Sequence, residues 1–300
     1  MKILKLIIIL IPLLFIAQCA QFGQRAPSGQ GISLNFLKNQ PPIDLLYDNQ
    51  NFRVGLELTN YGFKDTKASV CVYDTVADFF GGIPSNVCEQ VQINAAEKSG
   101  NNIIPEVKQV YFPSKSQTYF YKEITKGMTT NIISDVIYPY ETKANSQICI
   151  KRDENVKTTG VTCELSSAEQ VIQDSAPLTV SNLKKDIIPR GNNEISLLIT
   201  FDVQKTYGEI LDKNKISQPT DEDKLIDINL NLKGITQNFI CNPNKAGRIV
   251  FKENQKTIKC EAILTLSQDY IVNPLEIMIN YAHKVSKSTG AIKLVIEEEI

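Results

Sequence analysis

A two-residue alternation of apolar and polar side chains recurs along almost the whole chain and limits what it can fold into. In Asn51–Tyr73, NFRVGLELTNYGFKDTKASVCVY, the apolar Phe52, Val54, Leu56 and Leu58 alternate with Arg53, Gly55, Glu57 and Thr59. A period of two is the signature of a strand with one dry and one wet face. Asn60, Tyr61 and Gly62 interrupt the run, and Ala68, Val70 and Val72 resume it, so a hairpin is expected here. Its apolar face needs a second sheet to cover it, which points to a sandwich.

Further strands follow the same rule. Ile32, Leu34 and Phe36 alternate ahead of Pro41 and Pro42, Tyr119 and Tyr121 form a short run, and Ile132–Tyr140 forms a longer one. Ser146–Lys151 and Val161–Leu165 flank a polar stretch in the manner of a second hairpin. Ser166–Gln173 is the best candidate for a helix, and a short one. After a polar, Pro-containing boundary at Asp174–Pro177 come Leu178–Val180, Ile195 to Val203, Ile226 to Leu232, Leu275 to Tyr281 and Ile292 to Ile296. The expected fold is all-β: two tandem immunoglobulin-like antiparallel sandwiches, over residues 32–175 and 176–300. The halves echo one another, since Val136, Tyr138, Tyr140 and Lys143 can be laid on Ile277, Ile279, Tyr281 and Lys284, and Tyr61-Gly62 on Tyr207-Gly208. Either an internal duplication or the general likeness of sandwiches accounts for this.

Residues 1–18 read as a signal peptide, with Lys2 and Lys5 ahead of the apolar run Leu6–Ala17. That run is shorter than the ~20 residues that span a bilayer. Ile16, Ala17, Gln18 and Cys19 resemble the lipobox of secreted lipoproteins, with Gln18 standing where that family carries Gly or Ala. The resemblance implies lipid attachment at Cys19, with ordinary cleavage and no acyl chain as the alternative. Residues 19–31, rich in Gln, Gly, Ser and Pro, read as a flexible tether that would reach roughly 40 Å at ~3.3 Å per residue. The expected location is the outer face of the cell membrane or the envelope.

Setting Cys19 aside leaves six of the seven cysteines. Six allow fifteen connectivities, of which the local couples Cys71–Cys88, Cys149–Cys163 and Cys241–Cys260 are the simplest. Each loop closed in this way would contribute about 3 kcal/mol in the chain-entropy model. A zinc site is disfavoured because no CxxC spacing occurs and the single histidine, His283, is remote in sequence from any couple. His283 itself reads as an ordinary polar position near a strand end. Asp221, Glu222 and Asp223 could hold a hard cation, but their surroundings read as a solvated loop.

A net charge of −1 gives no electrostatic case for nucleic acid. The sequence holds no GxSxG elbow, phosphate loop or HExxH, and no second histidine. No catalytic residue, cofactor or metal is therefore expected, and a non-enzymatic surface module is preferred. A hydrolase with converging carboxylates and a filament subunit are the alternatives. Phe79 and Phe80, in a loop marked by Gly81, Gly82 and Pro84, are a candidate contact tip.

Phe52–Asp65, FRVGLELTNYGFKD, resembles the CARDB-like and related immunoglobulin-like modules of prokaryotic surface proteins, through its alternating strand, the Asn60-Tyr61-Gly62 turn and Asp65. Cys260–Tyr281 is similar to repeat domains of archaeal envelope proteins. These resemblances imply scaffolding or adhesion at the cell surface, with envelope proteins or surface glycans as partners and the lipid anchor as the link to the membrane.

Overall fold

The computed structural model describes residues 31–296 apart from 43, 85–86, 101, 126, 159, 161–162, 217–223 and 243–247. The signal peptide, Cys19, most of the tether and Asp221–Asp223 lie outside the described residues. The chain runs through β1 (Ile32–Phe36), β2 (Leu45–Tyr47), β3 (Val54–Asn60), β4 (Thr66–Asp74), the single helical turn α1 (Ala77–Phe80) and β5 (Val87–Ile93). There follow β6 (Glu97–Ser99), β7 (Asn102–Ile104), β8 (Glu106–Phe112), β9 (Thr129–Thr130), β10 (Ile132–Lys151), β11 (Ser166–Ala168) and β12 (Ile172–Gln173). The second half contains β13 (Leu178–Gly191), β14 (Glu194–Lys205), β15 (Glu209–Leu211), β16 (Leu225–Leu232), β17 (Ile240–Cys241), β18 (Ile249–Val250), β19 (Gln255–Thr265), β20 (Tyr270–Ser288) and β21 (Ile292–Val295). The fold is an all-β sandwich.

Its back layer is one long sheet in the order β18-β16-β20-β10-β4-β5. At its centre β10 and β20 pair antiparallel from Ile133↔Ser288 to Lys151↔Tyr270 with no shift of register. Strands of 20 and 19 residues run roughly 65 Å at ~3.3 Å per residue, long enough to serve two cores. Even-numbered residues of β10 face both of them: Val136 and Tyr138 enter the first, Ala144, Ile148 and Ile150 the second. Because alternate residues of one strand share a face, both front sheets cover the same side of the back layer. The first is β1-β3-β8 and the second β11-β13-β14-β19-β17.

The topology repeats. Order β1-β3-β8 over β4-β10 in the first half is matched by β13-β14-β19 over β16-β20 in the second. Tyr61 N–H donates to Gly31 C=O at 2.8 Å, as Thr206 N–H does to Pro177 C=O at 2.9 Å. The hydroxyl of Tyr138 accepts from Ile32 N–H (2.7 Å), and that of Tyr281 from Leu178 N–H (3.2 Å). Judged by these roles Tyr281 corresponds to Tyr138, and Tyr61 to Thr206, so the structural match is offset from the Tyr140/Tyr281 and Tyr61/Tyr207 alignment suggested by sequence.

Three local expectations are corrected. β3 and β4 do not pair as a hairpin: β3 lies between β1 and β8, and β4 between β10 and β5. Asn60 braces the crossing, its Oδ1 accepting from Gly62 N–H (2.9 Å) and its Nδ2 donating to the carbonyls of Lys64 and Asn94 (3.2 and 2.7 Å). The connection runs across the core, and both strands bury their apolar faces against each other from opposite layers. Ser146–Lys151 ends β10 against β20, and of Val161–Leu165 the described Cys163–Leu165 lies in no strand, with Leu165 C=O accepting from Ile187 N–H, so no hairpin joins the two among the described residues. Ser166–Gln173 forms β11 against β13 and β12 against β10 rather than a helix. A segment this short gains too few helical bonds to offset nucleation, and sheet edges are at hand.

Core membership does not follow chain order. The first core takes Ile292 and Leu294 from the C-terminal strand β21, which lies parallel to β2 and antiparallel to β9. The second takes Ala144, Ile148 and Ile150 from ahead of residue 175.

Candidate binding cleft at the waist

All three local cysteine couples lie at bonding distance: Cys71–Cys88 (2.06 Å), Cys149–Cys163 (2.08 Å) and Cys241–Cys260 (2.02 Å). Two of them join residues directly opposed across a ladder, Cys71↔Cys88 and Cys241↔Cys260. Three such bonds fit an oxidising, extracellular environment. Alkylation of the native protein with and without prior reduction should accordingly differ by six cysteines, the six in these bonds, and equal labelling would show that they are free thiols.

Between the two cores β10 has no outer strand neighbour among the described residues. β4 pairs with it as far as Ile137, and β12 takes over only at Ala144. Along the uncovered stretch lies a cleft of about 390 Å³, bordered by residues 63–67, residues 138–143 and the segment Asp174–Ala176, with Lys213 and Asn280 at its rim. Its floor is aromatic: the Tyr140 ring stands 6.0 Å from Tyr138 and 5.8 Å from Tyr281. Burial, reinforced by Asp174, pushes the Tyr140 phenol up to about 12. Its hydroxyl therefore stays protonated and donates to Ser175 C=O (3.4 Å).

The rim carries both charges. Burial alone would raise the Glu141 carboxyl, but Lys64 and then Lys143 outweigh it and hold the group below its ordinary value. Lys64 pairs directly with Glu141, and Lys143 bridges Glu141 (3.7 Å) and Glu276 (3.5 Å). Lys213 reaches the cleft because its segment is clamped to the back layer. Arg248 grips the buried Asp212 through both terminal nitrogens (2.6 and 2.7 Å) and Asp227 through Nε (2.6 Å), while Lys213 pairs with Asp227 (2.8 Å). Nothing in the sequence pattern signalled this clamp, because its members lie in three separate segments.

Behind the floor is a closed polar network. His283 is fully buried rather than an ordinary strand-end residue. Its Nε2 lies 3.0 Å from the Tyr207 carbonyl, which can only accept, so Nε2 carries the proton. Nδ1 then accepts from the Tyr138 hydroxyl at 2.9 Å, and the Tyr207 hydroxyl donates to Ile32 C=O at 2.9 Å. Burial lowers the imidazole to about 4. The Tyr207-Gly208 turn must come this close: a Cβ on Gly208, whose φ is 67°, would stand 2.3 Å from Nε2. Such a phenol–imidazole pair resembles an acid–base dyad, yet both rings are sealed from solvent and bonded on every side.

Elsewhere, Asp74 fastens the α1 loop by accepting from Val76 N–H, Ile83 N–H and the Tyr121 hydroxyl (2.9, 2.8 and 2.9 Å). The loop aromatics divide: Phe80 packs on the first core, and Phe79 is 80% exposed. Among the described residues no cluster of His, Cys, Asp and Glu could hold a metal ion. No family model matches the sequence, and no curated protein is significantly similar to it.

Proposed function

We propose that this protein is an exported, non-enzymatic binding module of the cell envelope, lipid-anchored through Cys19 and engaging other envelope proteins or surface glycans at its waist. The reading is carried by the cleft: an open groove with a tyrosine floor and a mixed-charge rim on a rigid, disulfide-stapled scaffold. Binding sites of this kind are concave and largely apolar, with a few polar groups to fix orientation. A hydrolase would need a general-acid carboxyl held above its usual range, whereas Glu141 in the cleft is shifted the other way.

The lipobox-like Cys19 and the likeness to surface immunoglobulin modules support the envelope location. Gly31, the first described residue, lies against Tyr138 and Tyr140, so a tether of roughly 40 Å would meet the body at its middle. The body would then hang with both sandwich ends free. One acyl chain anchors only marginally, and a second chain or a partner completes retention. Replacing Cys19 with Ser should release the intact, disulfide-bonded body into the medium. If the variant remains membrane-bound as strongly as the parent, the lipoprotein reading is wrong.

A further inference from the structure

The geometry points to the uncovered stretch of β10 as a strand-addition site, which takes a short extended segment of another envelope polypeptide carrying one apolar side chain beside a carboxylate. The proposal rests on the binding-module reading and names the class of partner.

The internal repeat indicates what is missing. In the second half the equivalent edge of β20 is closed by the chain itself, with β15 pairing Glu209↔Lys284, Ile210↔His283 and Leu211↔Ala282. If Tyr138 corresponds to Tyr281, then Ala282–Lys284 correspond to Pro139–Glu141. Among the described residues the first half has no strand in that place. Its connection from β3 to β4 spans only residues 61–65, whereas residues 206–224 join β14 to β16 and include β15.

The open edge has groups to offer. Thr66 Oγ1 reaches Pro139 C=O at 3.4 Å, which turns that carbonyl outward, and strand alternation turns the N–H and C=O of Glu141 and Lys143 the same way. Pro139 has no N–H to donate and the ladder between β10 and β12 engages the Lys143 N–H, so a guest strand is held through the N–H and C=O of Glu141, and its length and register are limited. A strand occupies about 4.8 Å by 10 Å by 3.3 Å per residue, or roughly 160 Å³. The 390 Å³ cleft therefore admits two to three residues.

The surroundings choose the side chains. A guest residue opposite Tyr140 points toward the tyrosine floor and Phe63, and this favours an apolar group such as Ile210 of β15. Glu209 of β15 faces Lys284, and the guest residue in its place faces Glu141, whose charge Lys64 and Lys143 already offset, so Lys67, exposed at the rim and without an ion pair among the described residues, is left to meet a guest carboxylate there.

A synthetic peptide of residues 207–212 is the natural probe, because it is the strand that fills the equivalent edge. Added to the purified full-length protein, it should bind saturably and slow hydrogen exchange of the Glu141 amide. Replacing the peptide isoleucine with Asp should abolish that protection. Lys67→Glu, a surface change that leaves the fold intact, should weaken binding about fivefold, the scale of reversing one exposed charge pair. Absence of binding at millimolar peptide, or binding without protection at Glu141, would overturn the proposal. Self-association of the protein that the peptide dissolves would overturn it too, by assigning the gap to a second copy. Release of the Cys19→Ser body is read independently, so failure of the anchor and failure of this site are told apart.

Discussion

Residues 32–175 expressed alone should not fold, although they hold a complete set of alternating strands. Truncation removes β20, against which β10 pairs along nearly its whole length, and β21, which supplies the fully or almost fully buried Ile292 and Leu294 to the first core. The retained Ala144, Ile148 and Ile150 would be left bare, because the core they fill belongs to the second half. Each buried aliphatic side chain contributes about 1.5–3 kcal/mol, so Ile292, Leu294, Ile148 and Ile150 together account for about 6–12 kcal/mol, comparable to the whole 5–15 kcal/mol of net stability usual for a domain. Residues 176–300 lose the complementary surface of β10 and should fare no better. The whole chain, by contrast, should unfold in one transition, since the β10–β20 ribbon belongs to both cores. Circular dichroism and amide spectra would decide. A fragment 32–175 with dispersed resonances and a cooperative melt would show that the two cores are independent after all.

The failure expected of that fragment reflects what alternation can and cannot convey. Val54, Leu56 and Leu58, or Ile277, Ile279 and Tyr281, declare a strand and its buried face, and the structure has strands at both. Alternation does not declare a neighbour. Adjacency in sequence suggests that β3 and β4 are hairpin partners, whereas the connection held by the Asn60 side chain carries them to different layers. Locality did serve for the cysteines, where short separations brought all three couples together. The cleft was not legible, because it is an absence of pairing along residues 138–143, and absence leaves no motif. The burial of His283 is legible in the sequence, since the residue continues the Leu275, Ile277, Ile279, Tyr281 series at the same period, and that face is the dry one.

The same histidine gives the protein its expected weakness in mild acid. Neutral His283 satisfies its network with one donor and one acceptor. A second proton, on Nδ1, would remove the acceptor that the Tyr138 hydroxyl needs, while that hydroxyl is already engaged by Ile32 N–H. Burial accordingly holds the folded-state value at about 4, against 6.5 for a free imidazole. Between these values the unfolded chain binds the proton and the folded chain does not. Stability is therefore fully present above pH 6.5 and is lost as pH falls toward 4, by about 3 kcal/mol at 1.36 kcal/mol per pH unit. Carboxylates held below their ordinary range, such as Glu141 and Asp227, keep their contribution until pH falls through the ordinary carboxyl values of 4.5 and 3.8, so they add to the decline only at the acid end of the histidine's window. Denaturant unfolding measured at intervals from pH 7.5 to 4 should show the decline. His283→Gln, whose amide can donate to Tyr207 and accept from Tyr138 without titrating, should flatten the curve over that window. If the parent protein is equally stable at pH 7 and pH 4.5, or if the Gln variant declines just as steeply, His283 is not the group that makes the waist acid-sensitive.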